Sequence, residues 1–137
     1  MREVVYEEVP GLVGKTLTAV TRGKTEKGCP YEWSAGGEDL LTFVEEDGSI
    51  WRMYYSPDCC ATCAIEDIAG DLQDLVGSPL VLAEEASNNE SDRERCESET
   101  WSFYRFATAK GYVTIRWYGS SNGYYSESPS FVKETAQ

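Results

Sequence analysis

Residues 40–55 have the sequence LLTFVEEDGSIWRMYY, in which two apolar and aromatic runs flank a short polar segment. Asp47-Gly48 lies at the centre of that segment, and an Asp-Gly pair favours a tight hairpin turn because both residues tolerate positive φ. The flanking runs are rich in β-branched and aromatic residues, which suit a pleated surface. Large side chains occupy both alternating phases, so we predict a β-hairpin with both faces at least partly covered.

A similar pattern recurs further along the chain, where 101–108 and 112–118 flank a turn that contains Gly111. When residues 1–63 are aligned without gaps on 64–126, the matches cluster at turn and core positions of the first half, namely Leu12, Val13, Gly14, Leu17, Phe43, Gly48 and Tyr55. Repetition at a fixed offset indicates one structural unit used twice. We therefore predict a single domain of two pseudo-repeats, 1–63 and 64–126, followed by a C-terminal tail, 127–137. This tail should have little structure beyond Phe131 and Val132, which we expect to pack against the body.

Each half also has a short strand-like segment, 17–21 or 80–83, after a glycine-containing turn. With the hairpins, these segments predict two three-stranded antiparallel meanders, about six strands in all. The polar segment 84–100 is highly charged and has no apolar periodicity, so we expect it to be a mobile loop.

The best helix candidate is 64–76, between the two halves. Apolar residues recur there at three- and four-residue steps and would form one stripe, Ile65, Ile68, Leu72 and Leu75. The matching part of the first half contains Pro10-Gly11, which would end a helix early. The predicted fold class is therefore α+β, with one main helix between two meanders.

The composition narrows the range of partners. The net charge is −12, which makes direct contact with nucleic acid or an anionic membrane unfavourable. The charge is explained either by a plainly solvated acidic surface, which is the favoured interpretation, or by an acidic face that docks on a basic partner. The sequence contains no histidine, the commonest general base and a frequent metal ligand. The first ten residues lack a basic region followed by an apolar stretch, so we expect no secretory signal and a reducing, cytosolic environment for the five cysteines.

The first candidate site joins the first hairpin to the predicted helix and contains Tyr55, Asp58, Cys59, Cys60, Glu66 and Asp67. Cys60 and Cys63 have the spacing of a zinc or redox pair, but the sequence has no second such pair, and nearby carboxylates would oppose a thiolate. Small buried thiols are the favoured interpretation. Glu66 and Asp67 suit the first turn of a helix, and nothing in their spacing singles out acid–base catalysis.

The second candidate site contains Ser121, Asn122, Tyr124 and Tyr125, after the second hairpin. Under the gap-free alignment, 121–123 fall on 58–60, so the two candidates are the same corner of each half. Small polar residues backed by tyrosines could line a ligand cleft, although an Asn-Gly turn with packed tyrosines explains the same pattern. We predict no catalytic residue, no metal ligand and no cofactor.

The chain resembles a family of small uncharacterised proteins encoded by tailed bacteriophages and prophages. The motifs that carry the resemblance are Asp58-Cys59-Cys60, the segment 65–79, and 112–126 with its Asn-Gly-Tyr-Tyr-Ser. Members of that family often carry His where this chain has Tyr55. The resemblance implies a phage origin and a location in the cytoplasm of the infected cell, and it implies no activity.

These observations give two functional hypotheses. The first is a non-enzymatic phage accessory protein that binds and modulates a host protein, for example as an acidic mimic of DNA or an inhibitor of host defence. The alternative is a protein that binds or sequesters a small, nucleotide-like ligand at the two corners. The sequence names neither the host partner nor an oligomeric state.

Overall fold

The computed structural model describes residues 2–28, 36–57, 61–92, 94–95, 97–123 and 127–136. This part of the chain forms nine strands and two short 3₁₀ helices. In chain order they are β1 (Arg2–Tyr6), η1 (Val9–Leu12), β2 (Leu17–Lys24), β3 (Asp39–Glu45), β4 (Ile50–Tyr54), β5 (Ala61–Ala69), η2 (Leu72–Leu75), β6 (Leu82–Asp92), β7 (Glu97–Thr108), β8 (Gly111–Ser121) and β9 (Ser130–Ala136).

The strands form two sheets in which every neighbouring pair is antiparallel. Sheet one has the strand order β1-β9-β4-β3-β2, and sheet two has the order β5-β8-β7-β6. The predicted α+β class is therefore wrong, because the described residues are all-β apart from the two 3₁₀ helices. Both predicted hairpins are present, as β3–β4 and β7–β8.

The predicted main helix, 64–76, is instead the second half of β5 followed by η2. Ile65 pairs with Trp117 and Ile68 pairs with Ile115, and a register shift lies between Ile65 and Asp67. A β-bulge adds one residue on its own strand, so two side chains three residues apart can face the same side of a sheet. The three-residue step between Ile65 and Ile68 therefore reflects a bulged strand.

The rest of the predicted apolar stripe belongs to a different element. Gly70 ends the extended segment with a φ of 102°, and a Cβ at this position would overlap the Tyr112 carbonyl oxygen. Leu72 and Leu75 then lie at the two ends of η2, and three residues per turn bring them to one side of a 3₁₀ helix. The pattern that predicted one α-helix is thus the sum of a bulged strand, a turn and a 3₁₀ helix.

The predicted mobile loop, 84–100, is also wrong for the described residues. β6 extends to Asp92 and β7 begins at Glu97, and they pair without interruption from Leu82↔Ala107 to Asp92↔Glu97. Side chains of β6 from Glu84 to Asp92 are exposed on both faces of the strand. An edge strand with water on both sides needs no apolar alternation, because its backbone ladder holds it in place.

The segment predicted to be a tail contributes β9. This strand lies between β1 and β4 and pairs with both, for example Val132 with Tyr6 and with Arg52. Phe131 is buried in the main core and Val132 against Tyr54. Sheet one therefore needs residues from both ends of the chain.

The hydrophobic core lies between the two sheets. The Phe43 and Phe106 rings meet with their centroids 5.5 Å apart, and the Trp117 indole N–H donates to the sulfur of Met53 at 3.1 Å. Alternate residues of β3, β7 and β8 are buried, as expected for strands with one face against the core. The 3₁₀ helices contribute buried residues to the same core, namely Val9, Leu12 and Leu75.

The two halves of the chain supply their elements in the same order. Val20 pairs with Phe43 in sheet one and Ala83 with Phe106 in sheet two, which matches the 63-residue offset. In the next strands the offset falls by one, because Phe43 pairs with Trp51 whereas Phe106 pairs with Val113. The second hairpin turn is one residue shorter. The two pseudo-repeats stay a prediction, which this correspondence supports.

Equivalent backbone bonds also connect the two halves. Gly14 N–H donates to the Leu80 carbonyl at 2.8 Å, and Gly77 N–H donates to the Leu17 carbonyl at 2.9 Å. Each of these residues lies 63 positions from its counterpart. These two reciprocal hydrogen bonds join the start of one meander to the start of the other. They therefore position the two sheets relative to each other.

Candidate functional site

The two sequence-predicted corners are attached to neighbouring strand ends. Ala61 at the start of β5 pairs with Ser121 at the end of β8, and Ser121 also pairs with Ser98 near the start of β7. The Ser121 hydroxyl accepts a hydrogen bond from Gly123 N–H at 2.9 Å, which shapes a turn after β8. Five of the predicted residues lie outside the described ones: Asp58, Cys59, Cys60, Tyr124 and Tyr125. Asn122 is half-buried in that turn.

Tyr55 does not share a surface with the other described candidates. It follows β4, is only 2% exposed and belongs to the core between the sheets. Its position is that of a packing residue. A role in contacting a ligand at the outer surface would require Tyr55 to leave the core.

Glu66 and Asp67 lie at the bulge of β5, on the surface of sheet two. Asp67 is opposite Arg116 in the register, and Arg116 Nε lies 2.7 Å from Glu66 Oε1. The side chains of this ion pair are 39% and 38% exposed, so water screens the attraction and its contribution to stability is small. Because the predicted helix is absent, these carboxylates have no helix dipole to complement. They belong to the charged surface of the sheet.

Cys63 is a buried thiol, as the sequence favoured. It is 2% exposed and lies in the main core. Burial, together with the nearby carboxylates of Glu38, Asp39 and Glu127, raises the pKa of the Cys63 thiol to about 12. A thiol this difficult to ionise is a poor nucleophile and a poor metal ligand at neutral pH.

The outer face of sheet two carries an aromatic cluster that we call the aromatic face, formed by Trp101, Phe103 and Tyr118. All three side chains are half-buried, and no described element lies across them. Trp101 and Tyr118 are cross-strand partners whose ring centroids lie 5.3 Å apart at 51°. Burial and the carboxylate of Glu99 raise the pKa of the Tyr118 phenol.

Two depressions flank the Trp101–Tyr118 pair on this face. One, of about 400 Å³, lies at the sheet end and is lined by Thr62, Glu97, Ser98, Glu99, Tyr118, Ser120 and Ser121. The other, of about 450 Å³, is lined by Glu66, Asn88, Glu90, Trp101, Phe103 and Arg116. Each combines aromatic surface with carboxylates, an arrangement suited to cationic or hydrogen-bonding groups.

A part-buried polar cluster lies on the inner face at the same sheet end. Glu127 Oε1 accepts hydrogen bonds from the Ser98 and Thr100 hydroxyls and, at 3.3 Å, from the Asn89 amide. The backbone of Glu127 passes so close to β8 that a Cβ on Gly119 would overlap its carbonyl oxygen. These contacts fix the crossing from sheet two to sheet one and so hold the sheet end in place.

Within the described ranges, no group of three or more Cys, Asp or Glu side chains is arranged to hold a metal ion. None of the helices in the described part of the chain has the length and apolar character needed to cross a membrane.

The sequence interpretation missed the aromatic face as a site, although its signal was present. Large residues occupy both alternating phases of 101–108 and 112–118. One phase, with Phe106 and Trp117, fills the core. The other phase carries Trp101 and Tyr118 outward, which identifies an aromatic outer surface once the direction to the core is known.

Comparison with known proteins gives a family and no activity. Residues 10–131 match the model of a domain of unknown function, DUF7448. No curated protein and no solved structure matches the chain. The match is consistent with the expected family without an assigned activity. The motifs proposed for that family and the phage origin stay predictions.

Proposed function

The chain belongs to the DUF7448 family, and we propose that it is a non-enzymatic binding protein that docks on a host protein and modulates it. In this proposal the protein is of phage origin and acts in the cytoplasm of the infected cell. The observation that carries it is the aromatic face of sheet two, which is half-exposed and surrounded by carboxylates.

The composition of this surface resembles that of protein interfaces. Tyr and Trp are enriched among the residues that dominate binding energy, and they tend to cluster at the centre of an interface within a polar rim. Here Trp101 and Tyr118 form the centre, and Glu66, Glu90 and Glu99 lie around them. An aromatic patch of this kind on the open face of a sheet is a favourable place for a partner to exclude water.

The charge indicates what kind of partner fits. The chain carries 24 acidic and 12 basic side chains. A basic protein surface would be attracted to it, and this attraction speeds association and excludes acidic competitors. A host protein that normally binds DNA is one such partner, in which case the acidic protein would act as a mimic of DNA.

The proposal is tested by capture from bacterial lysate with immobilised wild-type protein and two variants. Trp101→Ala/Tyr118→Ala removes the centre of the aromatic face. Tyr6→Ala is the matched control, because Tyr6 is 72% exposed on sheet one. We expect the wild type and Tyr6→Ala to retain the same protein and the double variant to lose it.

Retention of that protein by Trp101→Ala/Tyr118→Ala would contradict the proposal. Raised salt should weaken the capture, because the attraction between exposed charges is screened. Release of the captured protein by added duplex DNA would support mimicry of DNA, whereas insensitivity to DNA would exclude that version.

A second candidate function is favoured by the depression at the sheet end. Its hydroxyls and carboxylates suit the ribose and base edges of a nucleoside-like ligand better than a phosphate. Ser120→Leu would fill this depression, and Thr42→Leu on sheet one is the control. Native mass spectrometry of the purified protein should show a bound small molecule that Ser120→Leu loses and Thr42→Leu keeps. A wild-type mass equal to that of the polypeptide alone would contradict this second function. The same spectrum also gives the oligomeric state.

A further inference from the structure

We propose that β6 is a docking strand to which an extended, arginine-containing segment of the partner protein adds as a further strand of sheet two. This inference rests on the proposed function, since it names the segment of the partner that would bind. It is carried by the edge position of β6, by depressions on both of its faces and by its charge.

β6 has the geometry that strand addition requires. It is the last strand of sheet two, and no other described strand pairs with the side of β6 that faces away from β7. The helix η1 packs against β6, whose first residues Leu82 and Ala83 are the only ones of the strand with reduced exposure. From Glu84 to Asp92 the strand therefore offers a row of backbone donors and acceptors to an added strand.

A depression lies beside β6 on each face of the sheet. On the outer face, Asn88 and Glu90 border the depression that contains Trp101 and Phe103. On the inner face, Glu85 and Ser87 border another depression, of about 400 Å³, with Ser102 and Tyr104. Side chains of an added strand point alternately to the two faces, so successive residues of the partner would enter the two depressions in turn.

The charge of β6 selects a basic segment. The strand carries Glu84, Glu85, Glu90 and Asp92 and contains no lysine or arginine. Each depression includes a carboxylate, and the outer one also presents the Trp101 ring. Arginine fits this combination best, because its planar guanidinium both pairs with carboxylates and stacks on aromatic rings.

The same charge disfavours a second copy of this chain as the occupant. Pairing of β6 with β6 would bring two acidic strands together, and like charges directly opposite on neighbouring strands are destabilising. Carboxylates on an exposed edge otherwise serve to prevent this kind of association between sheets. A basic segment would form hydrogen bonds with the outward-facing backbone groups of β6 and would also neutralise its carboxylates.

The test uses two synthetic peptides of equal charge. In the first, pairs of arginines alternate with pairs of threonines, so that arginine side chains point to both faces of the added strand. In the second, proline replaces every threonine, which removes backbone donors from both edges of the added strand and keeps the arginines. Binding to the full chain is followed by NMR, with the exchange rates of the β6 amides measured in the free and bound states.

We expect the threonine peptide to bind at least about tenfold more tightly than the proline peptide and to slow exchange of the outward-facing β6 amides, because strand addition depends on main-chain hydrogen bonds. Glu85→Lys/Glu90→Lys should weaken the binding about tenfold or more, since it replaces attraction by repulsion in both depressions. The matched control Glu46→Lys, in an exposed turn far from β6 in the sequence, should leave it unchanged.

Equal binding of the two peptides would overturn strand addition, because charge alone would then explain the affinity. Absence of binding by both, or self-association through β6, would overturn it as well. None of these results bears on the lysate experiment, in which loss of the captured protein depends on Trp101 and Tyr118. The proposed function and the docking strand can therefore fail separately.

Discussion

The carboxylate of Asp39 in sheet one accepts a hydrogen bond from the backbone N–H of Ile65 in sheet two, with 2.7 Å between Oδ2 and N. The other carboxylate oxygen pairs with the Lys24 ammonium. Asp39 is 3% exposed, and Ile65 is the residue at which the bulge of β5 begins. A buried side chain of one sheet thus satisfies the amide that the bulge releases in the other.

Asp39→Ala should lower the free energy of unfolding by about 1–3 kcal/mol, because it leaves the buried Ile65 N–H without an acceptor. Asp39→Asn keeps one side-chain oxygen and should lose less. Urea unfolding measures both. The control is Glu46→Ala at an exposed position, and equal losses for Asp39→Ala and Glu46→Ala would show that the bond between the sheets is unimportant.

Gly119→Ala should destabilise the protein by about 1–3 kcal/mol or more, since the added methyl group would overlap the Glu127 carbonyl and the backbone would have to shift. Gly23→Ala is a matched change, because a Cβ at Gly23 would meet no atom within 4 Å. Thermal unfolding of the two variants should separate them clearly. Similar melting temperatures would argue against the close crossing of 127 over β8.

Cys63 should make stability fall at alkaline pH. Its pKa is raised from 9.0 to about 12 in the folded protein, so above pH 9 the unfolded chain loses a proton that the folded chain keeps. The contribution of the thiol is therefore fully present below pH 9 and is lost as the pH rises towards 12.

This dependence is measured as the difference in urea midpoint between wild type and Cys63→Ala from pH 8 to pH 11. We expect the difference to change above pH 9 in the direction of a less stable wild type. In the folded protein at pH 9, alkylation of Cys63, followed by peptide mass spectrometry, should be at least about 100-fold slower than in urea. Fast alkylation of the folded chain would contradict the buried position.

Glu99→Gln should lower the pKa of the Tyr118 phenol, because it removes a negative charge that opposes ionisation. Titration of the ¹³Cζ resonance of Tyr118 measures this, with assignment from Tyr118→Phe. Glu46→Gln serves as the control for a change in total charge. If Glu99→Gln leaves the titration where it was, the two side chains do not interact across the outer face.

The sequence predicted the elements whose signals lie within a short stretch of the chain. The hairpin at 40–55 was recognised because its turn residues and apolar strands are local features, and the second hairpin because it has the same pattern. The burial of Cys63 was also predicted correctly. The sequence groups Tyr55 with the ligand-binding candidates because of its neighbours in the chain, whereas the structure places its side chain in the core.

The elements that were missed depend on distant parts of the chain. β9 forms because it pairs with β1 on one side and with β4 on the other. β6 is held by its backbone ladder with β7, although its exposed side chains show no periodicity. Neither relationship is visible in a short window of sequence. The bulge in β5 produced a helical spacing for the same reason: only the partner strand shows that a residue has been inserted.

The hairpins, the acidic charge and the supply of apolar and aromatic side chains can be predicted from the residues, because turn geometry and net charge depend on residue identity alone. Only the assembled sheets show that 61–69 is a strand, that Trp101 and Tyr118 face outward together and that no other described strand pairs with the outer edge of β6. Backbone hydrogen bonds in a sheet join residues far apart in the chain, so both the edge and the direction of each face are fixed only when the strands assemble.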